Sequence, residues 1–184
     1  MENEMTTKTF YKTFFAWQDE KEEKWLEEQA VQGWHLESAA PFFYTFRKGS
    51  PDRVIYRLDY KHTLDKDYAE YVQIFKDCQW ELATRMSNWH YYRIRPENDQ
   101  TPEIFNTSRA KAQKYRRLLR GLLPLLLLAF LNFRFIFEHL DFTKAHDTGE
   151  VILGLSLLMV WGTFIFAVIT IVAKIRRLES ESRE

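Results

Sequence analysis

The stretch GWHLESAAPFFYTFR, residues 33–47, returns 46 positions later as QWELATRMSNWHYYR, residues 79–93. Without a gap, Trp34 falls on Trp80, Leu36 on Leu82, Phe43 on Trp89, Phe46 on Tyr92 and Arg47 on Arg93. Each stretch contains two short alternating segments rich in aromatic residues. They are WHLES (34–38) and FFYTFR (42–47) in the first, WELAT (80–84) and WHYYRI (89–94) in the second. Such alternation between turn-forming residues predicts paired strands.

Outward from these pairs, each copy is preceded by a helical pattern. Residues 19–33 predict a helix with Asp19 as its cap, Glu22 three residues on and Gly33 at the left-handed C′ position. Its apolar stripe is narrow: Trp25, Leu26 and Ala30. Residues 65–77 predict a second helix, with Thr63 or Asp65 as cap and Tyr68, Tyr71, Val72 and Phe75 on one face. A strand pattern stands before each helix, TFYKTFF (9–15) and RVIYRLDY (53–60). The unit is therefore βαββ, written twice. Two copies are fewer than the about three an open solenoid needs. The expectation is a closed pseudo-twofold domain, with the sheets meeting edge to edge, both helices outside and a cleft between the copies.

Strand parity selects a candidate ligand-binding face. If Trp34, Leu36, Trp80 and Leu82 face the helices, His35, Glu37 and Glu81 point away. Arg57 and Asp59 point away if Tyr56 and Leu58 point in, and Arg47 and Arg93 are opposite in parity to Phe46 and Tyr92. A face carrying His35, Glu37, Arg47, Arg57, Asp59 and Arg93 suits a small anionic or zwitterionic ligand. The alternative is a solvated face laced by cross-strand ion pairs.

The second part of the chain is a different kind of sequence. Residues 1–100 hold 14 Lys+Arg against 18 Asp+Glu, and residues 101–184 hold 12 against 8. Residues 118–137 and 151–173 are long apolar runs, each long enough to cross a hydrocarbon core. Basic residues flank them: Arg109, Lys111, Lys114, Arg116, Arg117 and Arg120 before the first, and Lys174, Arg176 and Arg177 after the second. Between them lies a connection whose only Lys or Arg is Lys144. Basic flanks stay inside. The sequence thus predicts a multi-pass protein of the cell membrane with both termini cytoplasmic, residues 138–150 outside, and its basic flanks on the anionic inner leaflet. Arg134, near the outer end of the first run, snorkels to the interface or pairs with Glu150 or Glu138. The fold class is α+β: a cytoplasmic duplicated βαββ domain at 1–95 (copies at about 8–47 and 53–94), a linker at 96–108, and a basic juxtamembrane helix with a two-helix transmembrane hairpin at 109–184.

Several chemistries find no support. The chain has six glycines, and neither a dinucleotide fingerprint nor a P-loop can be traced. The five histidines are scattered. His139 and His146, with Asp141 and Asp147, match no standard metal site. The one cysteine, Cys78, forms no internal disulfide and reads as a half-buried small residue. No catalytic residue, metal or cofactor is assigned. Nucleic acid is not an expected partner, because the basic run abuts an apolar span and the domain before it is acidic.

The tandem pattern KWLEEQAVQGWHL with YTFRKG, then VIYRLDY, then YVQIFKDCQWELA with WHYYRI resembles the bacterial family called domain of unknown function 2812, over roughly residues 9–95. Gln79 stands where relatives more usually have Gly, which implies a tighter or less left-handed turn. The family often accompanies PadR-type transcriptional regulators, which implies a place in membrane-stress or drug-response circuits. Duplicated βαββ units are also the plan of effector-binding domains that hold drug-like ligands between the copies, a likeness of architecture alone. The expected function is a non-enzymatic membrane-anchored sensor or adaptor whose cytoplasmic domain binds a regulatory protein. The alternative is a domain that binds a small hydrophobic, amphipathic ligand at the membrane.

Overall fold

The structure, a computed structural model, describes residues 6–96, 108–139 and 148–182. The chain divides into two compact units at residues 106 and 107. The first contains β1 (Thr7–Tyr11), α1 (Asp19–Val31), β2 (Trp34–Ala40), β3 (Phe43–Lys48), β4 (Ile55–Tyr60), α2 (Tyr68–Asp77), β5 (Glu81–Met86) and β6 (Trp89–Ile94). The second contains α3 (Ser108–His139) and α4 (Thr148–Glu181). The α+β reading and the βαββ order of each copy hold.

Each copy builds an antiparallel three-stranded sheet, in the order β1-β3-β2 and β4-β6-β5. The hairpins repeat down to a defect. The register of β2 on β3 slips between Leu36 and Ser38, and that of β5 on β6 between Leu82 and Thr84. Glu37 and Ala83 are thus bulge residues at the same place in the two copies. The helix ends repeat too. Gly33 sits at φ +81° and Gln79 at φ +65° after their helices. The turn at Gln79 is therefore as left-handed as the one at Gly33, which corrects the expectation drawn from the missing glycine. The start of α2 also departs from expectation. Asp65 and Asp67 do not cap the helix; both grip the buried Lys61 ammonium, at 3.0 and 2.6 Å.

The two sheets meet along the edge strands β2 and β5, as expected, but α1 is not left outside. Leu26 and Ala30 of α1 pack with Leu36, Tyr44 and Phe46 of the first sheet and, on another side, with Tyr56, Leu58 and Tyr91 of the second. Tyr71 and Phe75 of α2 pack with Ile55, Tyr92 and Ile94 on the opposite face of that second sheet. Neighbouring residues on a strand point to opposite faces, so Tyr56 and Tyr91 meet α1 while Ile55 and Tyr92 meet α2. The edge strands β2 and β5 lie alongside each other, and the Tyr56 hydroxyl accepts the Leu36 N–H at 3.2 Å, so the two sheets meet directly while α1 packs against both. The buried residues of α1 and of the facing sides of both sheets form one continuous core.

In the second unit α3 and α4 pack antiparallel. Arg116 pairs with Glu179, the Lys174 ammonium stands 4.7 Å over the Tyr115 ring, and Trp161 meets Phe130 and Phe133 edge-on. Ala112, Tyr115, Leu118, Ile171, Ile175 and Leu178 are buried. Among the described residues one segment, Gly154–Glu181 of α4, is long and apolar enough to cross a membrane, with a mean hydropathy of 2.4. A two-span hairpin is not evident. In α3 the apolar run is bounded by Arg120 and Arg134, which bracket residues 121–133.

Candidate functional site

The six residues expected to share a binding face are distributed differently. Glu37 pairs with Arg47 across the first hairpin, and Glu81 pairs with Arg93 across the second at 2.6 Å. These are the cross-strand ion pairs of the alternative reading. Arg93 holds the Glu81 carboxyl below its usual range, mainly through that hydrogen bond. His35 turns its Nε2 to the Ser50 carbonyl at 2.9 Å. Asp59 is buried because the face it points to is covered by α2, so it lines no open surface. Arg57 reaches Glu27 at 3.0 Å and Glu23 at 3.6 Å. The structure brings together Glu37 with Arg47, sets His35 opposite Arg47 in the strand register, and extends Arg93 to the Leu36 carbonyl at 3.4 Å, while Arg57 and Asp59 are engaged elsewhere. Leu82, expected to face its helix, is exposed, and Cys78, expected half-buried, is also exposed.

Sequence reading missed a row of carboxylates on α1. Glu27 Oε1 accepts the Tyr56 N–H at 3.2 Å, and Glu23 Oε1 accepts the Leu58 N–H at 2.8 Å. The Lys61 N–H bonds the Asn88 carbonyl, so odd-numbered residues of β4 face β6 and the even-numbered ones point outward. The helix thus closes the free edge of the second sheet. The spacing permits it: four helical residues advance about 6 Å and two strand residues about 6.6 Å. One turn away, Glu22 Oε1 accepts both the Tyr44 and the Tyr91 hydroxyl at 2.7 Å. Tyr44 belongs to the first sheet and Tyr91 to the second, so one carboxyl ties α1 to both. Burial pushes Glu22 above the usual carboxylate value, and the charge of the fully buried Asp19 adds to this; the two tyrosine hydrogen bonds oppose it.

The first sheet has no counterpart of this closure. Thr7 stands opposite Arg47 as Tyr56 stands opposite Arg93, so Thr7, Thr9 and Tyr11 hold the places of Tyr56, Leu58 and Tyr60. The Lys48 N–H bonds the Thr6 carbonyl and the Lys12 N–H bonds the Phe42 carbonyl. The backbone groups of Thr7, Thr9 and Tyr11 therefore point outward. Among the described residues no strand or carboxylate pairs with them. Near this edge the rings of Tyr11, Phe42 and Phe43 cluster in the open, at 72 %, 50 % and 52 % exposure.

Among the described residues no group of three His, Cys, Asp or Glu side chains is placed to hold a metal ion. Of the residues expected at a membrane interface, Lys114 is buried, Arg116 is engaged by Glu179 and Arg177 by Glu181. Lys111, Arg117, Arg120, Lys174 and Arg176 lie on α3 and α4 as expected from the sequence. The Arg109, Glu138 and Glu150 side chains, and residues 97–107 and 140–147 with the linker and outer-loop expectations, lie outside the described residues. Arg134 is on α3 and exposed.

A duplicated βαββ domain with one sheet edge closed by its own helix and one left open, followed by a long apolar helix, defines the class of this protein. The family model for a protein of unknown function, DUF2812, matches residues 18–127. The chain belongs to that family. The match begins after β1 and ends within α3, beyond the limit of about residue 95 expected from the sequence. No curated protein and no solved structure matches the chain.

Proposed function

We propose that the protein is a non-enzymatic membrane-anchored adaptor or sensor whose duplicated domain binds a protein partner, a regulator of a stress response. The open edge of β1 carries this reading. The second sheet's outer edge is sealed by Glu23 and Glu27, while the equivalent groups of Thr7, Thr9 and Tyr11 stay available to an added strand. The small-molecule alternative calls for a cavity between the copies, and there Leu26 and Ala30 of α1 pack with Leu36, Tyr44, Phe46, Tyr56, Leu58 and Tyr91 into one core.

The anchor in this proposal is a hairpin of two spans, residues 118–137 and 151–173, with both termini inside. The apolar segment of α4 and the antiparallel packing of α3 on α4 support it. The basic flanks then lie against the anionic inner leaflet.

A photo-crosslinking residue placed at Thr7 of the full-length chain in cells tests the partner site. A discrete protein adduct is expected, and Thr9→Pro should abolish it, because proline removes the outward N–H and is tolerated at an edge. No adduct, or one indifferent to Thr9→Pro, would sink the proposal.

A further inference from the structure

We infer that the end of the domain built by Tyr11, Phe42 and Phe43 is a second membrane contact, one that dips into the headgroup region of an anionic leaflet. The inference rests on the reading that α4 anchors the chain in a bilayer.

The first observation is exposure against position. Tyr11 and Phe43 are cross-strand partners whose rings meet edge-on at 5.6 Å, and Phe42 stacks on Tyr11 at 6.3 Å. Three large rings thus pack on one another instead of on the core. A little further along the chain Phe15, half exposed, stacks on Trp17 at 4.9 Å. The second observation is backbone geometry. Phe42 occupies the two-residue turn between β2 and β3 at φ +71°. That conformation suits glycine or asparagine and disfavours a large side chain. The ring is held outward at the tip of a hairpin, where it contributes nothing to the core.

The third observation is charge. Residues 1–100 carry 18 acids against 14 Lys and Arg, yet the two segments that form this end, residues 8–18 and 39–46, contain no acid. Their cations are Lys8 and Lys12. An acid-free aromatic tip with Lys12 bonded to it through the Phe42 carbonyl is the chemistry of a protein surface seated at an anionic membrane interface. A water-facing tip of this acidic domain has no need of it. A bilayer is also the one partner already tethered to the domain, through α4 of the same chain.

The test uses the full-length chain, with Cys78→Ser, in vesicles of phosphatidylcholine and phosphatidylglycerol. An environment-sensitive fluorophore is attached at Ala40→Cys beside the tip, at Leu64→Cys as an exposed control, or at Ile169→Cys within the apolar segment. Lipids carrying a shallow spin label should quench the Ala40 probe by about twofold and leave the Leu64 probe unchanged, with the Ile169 probe quenched by deep labels. Tyr11→Ser with Phe42→Ser should abolish the Ala40 quenching and spare Ile169. A quenched Ile169 probe beside a water-like Ala40 probe overturns the tip contact and leaves the anchor standing. No quenching at either site overturns both. An Ala40 probe that is shielded by added protein and unquenched by lipid assigns the tip to a protein partner and overturns the inference.

Discussion

The Glu23 carboxylate, on the first copy's helix, accepts the backbone N–H of Leu58, on the second copy's first strand, at 2.8 Å. The bond crosses the duplication and closes a sheet edge with a side chain. Glu23→Ala should leave that amide buried and unsatisfied, at about 1–3 kcal/mol. Glu23→Gln keeps an accepting oxygen and should cost less. Hydrogen exchange at Leu58 reads the difference directly: protection should fall in the alanine variant and be largely kept in the glutamine variant.

Glu22 is a larger liability if truncated. Glu22→Ala strands two buried tyrosine hydroxyls, each worth about 1–3 kcal/mol when unpaired. Glu22→Gln still accepts both and sheds a charge from a desolvated site beside Asp19. Thermal midpoints should rank alanine below wild type, with glutamine at or above wild type at neutral pH.

The pH dependence has two opposite contributions. Glu22 binds its proton more tightly folded than unfolded, so its contribution is full below the ordinary value of 4.5 and is lost as pH rises through the raised native value. Glu81 is held below 4.5 by Arg93, so its contribution is full above 4.5 and is lost as pH falls through the lowered native value. The stability gap between Glu22→Gln and wild type should therefore widen as pH rises from 4.5. A gap that narrows would contradict the assignment.

The two left-handed helix ends should respond in opposite ways. A β-carbon at Gly33 would lie 2.7 Å from the Gly49 carbonyl oxygen and would also meet Pro51. Gly33→Ala should therefore cost more than the roughly 1 kcal/mol of the backbone conformation alone. Gln79 already bears that conformational strain at an exposed site, so Gln79→Gly should stabilise by up to about 1 kcal/mol. Equilibrium unfolding of the two variants checks the signs.

A cysteine at Thr143 tests the proposed double crossing. With Cys78→Ser as background, it should label with an impermeant reagent on intact cells. Labelling only after lysis would place the connection inside and overturn the orientation.

The duplication was legible because the repeated residues, Trp34 and Trp80 or Phe46 and Tyr92, are the ones each strand pair needs to pack on its own helix. Glu37 and Ala83 differ although both are bulge residues, and only Glu37 makes an ion pair, with Arg47. The packing of one copy on the other was not legible. Asp19, Glu22, Glu23 and Glu27 read as the solvated side of a helix with a narrow apolar stripe, because hydropathy does not distinguish a carboxylate in water from one accepting a strand's amides. For the same reason Asp59 looked exposed by parity. Parity gives the face of a strand, and α2 on that face is a tertiary fact. The six-residue binding face failed at this step, since burial and ion pairing had already engaged its members.

The bonding of α1 to β4 gives the chain a direction of assembly. During synthesis the first copy is complete by Lys48, before β4 exists. At that stage Glu23 and Glu27 face water one helical turn apart and repel each other. The arrival of Tyr56, Arg57 and Leu58 converts this repulsion into two hydrogen bonds donated by backbone N–H groups and an ion pair. The first copy is thus a mould for the second, and the second is no mould for the first. A swap of the two halves in gene order would deliver β4 to a nascent chain that has no α1 to receive it.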